Sequence, residues 1–288
     1  MASVTGRGRT SARGEAATTE LPEILLCVPA TDRGRFVDAF RRQATLVSFD
    51  SLDAVMPYVS RAAHRIAAAV VTPRDSQGNI AVPVVRQLAH SAPRTALIAY
   101  CEPGVGQSGD IRALAAAGIH EFLFRGIDDS RIALRDVINR ATQERAAEAV
   151  LRVLEPLLPE SLHEFVEVCT TRPAEVQTVN QAARLLGVDR KTLANYCARA
   201  GTLTPAELLG WCRILLAAEV LDSTGQTVEA VALELEWASV TSLRNMMKRY
   251  TGARATEVCT RGGLAFVAGL FAARLHAGAR APIVRASP

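Results

Sequence analysis

One pattern occurs twice in this chain, about fifty residues apart, and it restricts the fold more than any other feature. The first copy, TVNQAARLLGVDRKTLANYCARAG, runs from Thr178 to Gly201; the second, TVEAVALELEWASVTSLRNMMKRYTG, runs from Thr227 to Gly252. Each reads as a helix, a tight turn and a second helix. Thr178 and Thr227 are placed to cap the first helix of each copy, and Gln181 follows Thr178 at the spacing of a capping box. Ala183 and Ala232 fall at matching positions, where a small side chain lets the second helix cross closely over the first. Gly187 supplies the left-handed backbone that such a turn needs. The second helices are expected to turn Leu193, Tyr196 and Cys197, and Leu243, Met246, Met247 and Tyr250, inward, leaving a polar face free.

Between the copies, PAELLGWCRILLAAEVLDS predicts one long helix from Pro205 to about Asp222, opened by a proline at its first position. A helix of roughly 17 residues is about 25 Å long. With half a unit at each end it can hold two second helices about 34 Å apart, one turn of DNA. The pattern therefore predicts an all-α tandem helix-turn-helix unit reading two successive major-groove segments of double-stranded DNA.

The segment from about Val176 to Thr260 resembles the DNA-binding domain of the AraC/XylS family of transcription regulators. Pro205, Arg213, Ala217, Val220 and Leu221 match the family's central helix, and Val231, Ala232, Trp237, Leu243, Lys248, Arg249, Tyr250 and Gly252 match its second unit. The sequence departs from the family at Glu236, which replaces the turn glycine, at Ala255, which replaces a proline, and at Leu243 and Met247, which replace phenylalanines. A non-glycine residue in left-handed backbone costs about 1 kcal/mol or more, so a distorted second turn is expected. The expected partner is double-stranded DNA; a homodimer and a contact with RNA polymerase are expected too, and no cofactor.

Helix position selects the DNA candidates. Arg190, Lys191 and Asn195 lie away from Leu193 and Cys197; Thr241, Ser242, Arg244, Asn245 and Lys248 are exposed on the same logic, with Arg249 beside them. Asparagine pairs with an adenine edge, and lysine or arginine reaches guanine or phosphate. Similarity to the family makes Lys191, Asn195, Thr241, Ser242 and Asn245 base candidates and Arg244, Lys248 and Arg249 phosphate candidates. The chain's two lysines, Lys191 and Lys248, both fall in this set. From Val176 to Arg261 ten basic side chains face eight acidic ones, so the positive charge must be concentrated on one face or supported by dimerisation. The competing reading is a protein-interaction scaffold whose degenerate C-terminal segment no longer reads sequence.

The N-terminal half has a different rhythm. Apolar runs EILLCV, ATLVSF, RIAAAVV, RTALIAY and HEFLF alternate with helical stretches at 35–42, 52–64, 82–89, 111–117 and from Ser130 onward. Five short buried strands alternating with helices predict a doubly wound parallel α/β sheet. Over 21–146 this resembles the receiver domain of response regulators, with a flavodoxin-like order. A working receiver needs an acidic pair, a phosphoacceptor aspartate and a lysine. Here only Asp32 stands near the first strand, Thr72 holds the acceptor's place, Asp75 comes three residues late, and Arg125 with Gly126 replaces the lysine and proline. The expectation is a receiver-like domain that is not phosphorylated and that either binds an unknown effector or dimerises.

The rest of the chain completes the division. Residues 1–20, rich in Gly, Ser, Thr, Ala and Arg, read as a disordered tail without a signal peptide. An apolar stripe from Ile132 through Val137, Ile138 and Ala141 to Val153, Leu154, Leu157 and Leu158 exceeds what one domain face needs, and either a partner helix or the chain itself covers it. Residues 147–175 read as a helical linker, 176–261 as the DNA-binding domain, and 262–288 as a tail helix with Leu264, Val267, Phe271 and Leu275 on one docking face and Arg280 and Arg285 beyond. Six scattered cysteines read as free thiols of a cytoplasmic protein. The dispersed histidines suggest no metal site, and no run is long enough to span a membrane. Cys101, ending an apolar run, could be a nucleophile only with a base such as His120, and the domain is too short for that enzyme reading; Gly104 and Gly106 read as a turn.

Overall fold

The structure is a computed structural model that describes residues 21–104 and 108–279. Residues 1–20, Gly106, Arg280 and Arg285 lie outside that range, and with them the expectations placed there. The N-terminal half runs β1 (Glu23–Cys27), α1 (Arg33–Phe40), β2 (Thr45–Ser48), α2 (Val55–Ala62), β3 (Ile66–Val71), α3 (Val82–Ser91), β4 (Ala96–Cys101), α4 (Ser108–Ala117), β5 (Glu121–Phe124) and α5 (Arg131–Leu154). The strands are parallel, in the order β2-β1-β3-β4-β5. This is the flavodoxin-like order expected from the alternation of apolar runs. Every residue of β1, β3 and β4 is buried, because helices cover both faces. Leu25, Ala69, Leu97 and Leu114 fill one side, and Ile24, Phe36, Ile98 and Ile138 the other.

The C-terminal half is helical: α6 (His163–Thr171), α7 (Val179–Leu185), α8 (Arg190–Arg199), α9 (Pro205–Thr224), α10 (Val228–Glu234), α11 (Val240–Thr251), α12 (Ala255–Thr260) and α13 (Gly263–Ala279). One continuous core extends from Ala146, in the second half of α5, to Phe271 in α13. At its centre lies α9, fifteen of whose residues are buried; a helix buried on nearly all sides must be apolar all round. Its 20 residues make it about 30 Å long at ~1.5 Å per residue. Leu264, Val267 and Phe271 of α13 are buried against this core and Leu275 packs beside it, as their spacing predicted.

The apolar stripe of α5 is covered by the chain itself: α6 and α9 pack on its second half, burying Ala146, Ala149, Val150 and Leu154. Ile132, at the other end, is 69% exposed. No helix of the described residues is long and apolar enough to cross a membrane.

Candidate nucleic-acid interface

Local chemistry sets both helix-turn-helix units. The Thr178 hydroxyl accepts from the Gln181 amide at 3.3 Å while the Gln181 side chain accepts from the Thr178 amide at 2.8 Å, completing the capping box. Thr227 accepts from Ala230 N at 3.2 Å. The second helices are capped by Asp189, accepting from Thr192 N at 2.7 Å, and by Ser239, accepting from Ser242 N at 3.1 Å. Each such cap is worth about 1 kcal/mol, enough to fix where a short helix begins.

The two turns share one backbone. Gly187 has φ +66° and Glu236 φ +49°. Val188 N donates to Ala183 O at 3.0 Å and Gly187 N to Arg184 O at 3.1 Å; Trp237 N donates to Ala232 O at 2.8 Å and Glu236 N to Leu233 O at 3.2 Å. Contrary to the expected distortion, Glu236 takes the left-handed conformation. Two contacts that sequence reasoning missed surround this turn. The Gln177 amide donates to Glu236 O at 2.7 Å, tying the start of the first unit to the turn of the second. The Arg213 guanidinium lies 4.2 Å over the Trp237 ring, and such contacts contribute about 0.5–2 kcal/mol. Arg213 was legible as a family match, though its ring partner was not.

Ala183 and Ala232 are buried where the helices cross. Leu193 and Cys197 of α8, and Leu243 and Met247 of α11, point into the core, with Met246 and Tyr250 half-buried beside it. Tyr196, expected inward, is 36% exposed: the inward line of α8 follows the i, i+4 pair and leaves this residue on its flank. Tyr250 packs edge-on against Trp211 of α9, with ring centroids 5.0 Å apart.

The candidate DNA residues divide by environment. Arg190, Lys191 and Asn195 are exposed on α8, and Thr241, Arg244, Asn245, Lys248 and Arg249 on α11. Ser242 is half-buried, in a groove with Trp237 and Met246. Arg244 pairs with Glu229 of α10, and Arg249 lies 5.9 Å from the Tyr250 ring.

At the carboxyl ends of the strands, Asp32 is 1% exposed and faces Arg125, whose Nη2 lies 3.2 Å from Oδ1 while its Nη1 reaches Glu102 at 2.7 Å. Arg35 pairs with Asp129, which also accepts from Tyr100 OH at 3.1 Å. Thr72 donates its hydroxyl to Arg74 O at 2.7 Å. Asp75 accepts from Gln77 N, Asn79 N and Asn79 Nδ2, each at 2.9 Å, and from Leu52 N at 3.2 Å. Burial pushes its carboxyl up, but these bonds outweigh that and hold it at about 2. Cys101 is fully buried, and burial raises its thiol to about 11, the opposite of an activated nucleophile.

A family model described as "Helix-turn-helix domain" matches residues 182–261. No curated protein matches the chain significantly. Among solved structures, the chain is similar to a response regulator receiver domain protein from Clostridium thermocellum, at 13% identity and TM-score 0.38 over 43% of this chain and 97% of that one. It is similar to full-length FixJ from B. japonicum at 13% and 0.34, over 81% and 98% of the two chains. It is similar to the response regulator StyR at 17% and 0.35, over 80% and 100%. Residues 182–261 thus match a helix-turn-helix domain, and the chain joins them to an N-terminal α/β domain of flavodoxin-like strand order.

Proposed function

We propose that the protein is a cytoplasmic transcription regulator that reads two successive major-groove segments of one DNA duplex, one with α8 and one with α11. The observation that carries this reading is the pairing of two helix-turn-helix units of equal backbone on one rigid helix, α9, braced by Gln177 and Arg213. Lys191, Asn195, Thr241, Ser242 and Asn245 are the proposed base contacts; Arg190, Arg244, Lys248 and Arg249 hold phosphate. Arg244 must leave Glu229 to do so, which lowers its contribution relative to Lys248.

The receiver-like domain acts without phosphorylation in this reading. Thr72 offers no carboxylate, Asp75 is committed to its own turn, and Arg125 neutralises Asp32 where an acidic pair would hold a metal ion. A homodimer and a contact with RNA polymerase belong to the same reading, and sedimentation of the full chain tests the first.

Selection of the full-length protein against random duplex DNA, followed by a salt titration of the winning site, tests the proposal. The expected result is two half-elements about one helical turn apart. Asn195→Ala should relax one and Asn245→Ala the other, each by about 1–3 kcal/mol at one base pair, while Lys248→Ala should weaken all sites alike. Unselective binding would leave the chain as an interaction scaffold.

A further inference from the structure

A cavity of about 470 Å³ lies between the two domains, away from the carboxyl ends of the strands where a sheet of this type usually binds ligands. Its floor is apolar, with buried Ile24, Phe40 and Ile138. Its opposite wall is the turn from Thr224 to Thr227 and the outer face of α10, including Leu233, which at 82% is the most exposed large apolar side chain of the described residues. At one end Arg42 and Arg135 line both this cavity and an adjoining recess of about 400 Å³ that also holds Arg41 and Arg131, with Asp38 as its one acid. None of these four arginines has an ion-pair or hydrogen-bond partner among the described residues. Arg42 is moreover held at φ +66°, in the left-handed region that favours glycine.

A volume in the range of small-molecule sites, an apolar floor and unpaired guanidinium groups at one end together define a ligand chemistry. Guanidinium binds carboxylate through paired, charge-assisted hydrogen bonds, while the floor and Leu233 take up an apolar body. Polar groups along the wall, among them Asn139, Gln143 and Glu234, can serve a hydroxyl or amide on that body. We propose that this interdomain cavity is an effector site for a small amphipathic carboxylate, whose head pairs with Arg42 and Arg135 and whose apolar body lies between α5 and α10. Because the occupant touches α10, it holds the second helix-turn-helix unit against the receiver-like domain. An effect on DNA binding rests on the function proposed above; ligand binding itself does not.

Calorimetry of the full chain without DNA tests the site, with decanoate and 2-naphthoate as probes and decanol and 2-naphthalenemethanol as neutral counterparts. At least one carboxylate should bind, tenfold or more tighter than its alcohol. The Arg42→Gly, Arg135→Ala double variant should lose at least tenfold of that affinity, and glycine suits the backbone at 42. Ala230→Trp, which fills the cavity from α10, should abolish binding, while exposed Arg86→Ala, on α3, should leave it unchanged. Circular dichroism confirms that each variant is folded. The proposal is overturned if neither carboxylate binds at millimolar concentration, if carboxylate and alcohol bind equally, or if the arginine variants bind as the wild type does. It is also overturned if those variants weaken DNA binding while carboxylate binding is unchanged, since the arginines would then be phosphate contacts. When carboxylate binds, a shift in DNA affinity measured with it tests the coupling separately.

Discussion

Glu219 offers the sharpest test of how the two domains are held together. It lies in the middle of α9, 1% exposed, and its Oε1 is 3.1 Å from Nε of Arg94 in the loop before β4. The same guanidinium reaches Asp222 at 2.8 Å, and the second Glu219 oxygen is buried without a hydrogen-bond partner. Burial raises the Glu219 carboxyl from 4.5 to about 7; Arg94 and Arg152 counter this and Asp222 adds to it. Since the folded state holds its proton more tightly than the unfolded one, stability from this group is greatest below pH 4.5. It is lost as pH rises towards 7 and is constant above that. At ~1.4 kcal/mol per pH unit the whole interval amounts to about 3 kcal/mol, of which roughly 2–3 falls between pH 5 and pH 8. Glu219→Gln keeps the shape and removes the titration. The variant should therefore gain on the wild type by roughly 2–3 kcal/mol from pH 5 to pH 8, a relative rise in Tm of about 4–12 °C. Thermal melts of both proteins across that range provide the comparison, which cancels every other titrating group. Parallel curves would refute the reasoning, because they would mean that Arg94 fully compensates the buried charge.

Three further outcomes follow from the geometry. A Cβ on Gly210 would come within 1.9 Å of the Tyr250 hydroxyl oxygen and 2.5 Å of its ring, so Gly210→Ala should displace α11, cost about 1–3 kcal/mol in a melt, and weaken DNA binding more than Gly187-side substitutions of equal cost. Glu236→Gly should stabilise the second turn by up to about 1 kcal/mol, read as a higher Tm, since it relieves the left-handed strain at φ +49° at some cost in chain entropy. Asp75→Ala should cost roughly 2 kcal/mol and speed hydrogen exchange at the Gln77 and Asn79 amides; it should also remove the loss of stability that the wild type shows as pH falls from 3.8 towards 2, where the Asp75 carboxyl takes up its proton.

What could be read from the sequence was what local chemistry decides. Thr178, Thr227 and Pro205 announce helix starts because caps act within three residues. Strands β1, β3 and β4 are visible as apolar runs because both their faces are buried. Periodicity could show that the α5 stripe needed a cover but not that α6 and α9 of the same chain supply it. The partnership of Arg94 with Glu219 joins residues far apart in the chain, so no local pattern encodes it. The turn at Glu236 was misjudged for a related reason. Its strain of about 1 kcal/mol is set against the Gln177 hydrogen bond and the stacking of Arg213 on Trp237, neither of which a turn rule includes.

The same long-range contacts make the two helix-turn-helix units unequal. Their caps, turns and crossing alanines match, yet two clefts between the halves, among the described residues, meet the second unit. One is the cavity of about 470 Å³ against Ala230, Leu233 and Glu234. The other, about 600 Å³, lies between Leu21, Pro22 and Arg65 on one side and Glu229 and Arg244 on the other. The first unit instead rests on α6, within the continuous core. A shift of the N-terminal half would be felt at α10, which lines both clefts and packs on α11. Under the proposed function, an effect of the N-terminal domain on DNA binding would pass through the second unit. The Arg244–Glu229 pair sits where that effect would be felt, since Glu229 lines the cleft and Arg244 is freed for phosphate only when the pair opens. Glu229→Gln should therefore raise DNA affinity and steepen its salt dependence by about one phosphate contact, and a salt titration with unchanged slope would place Arg244 outside the interface.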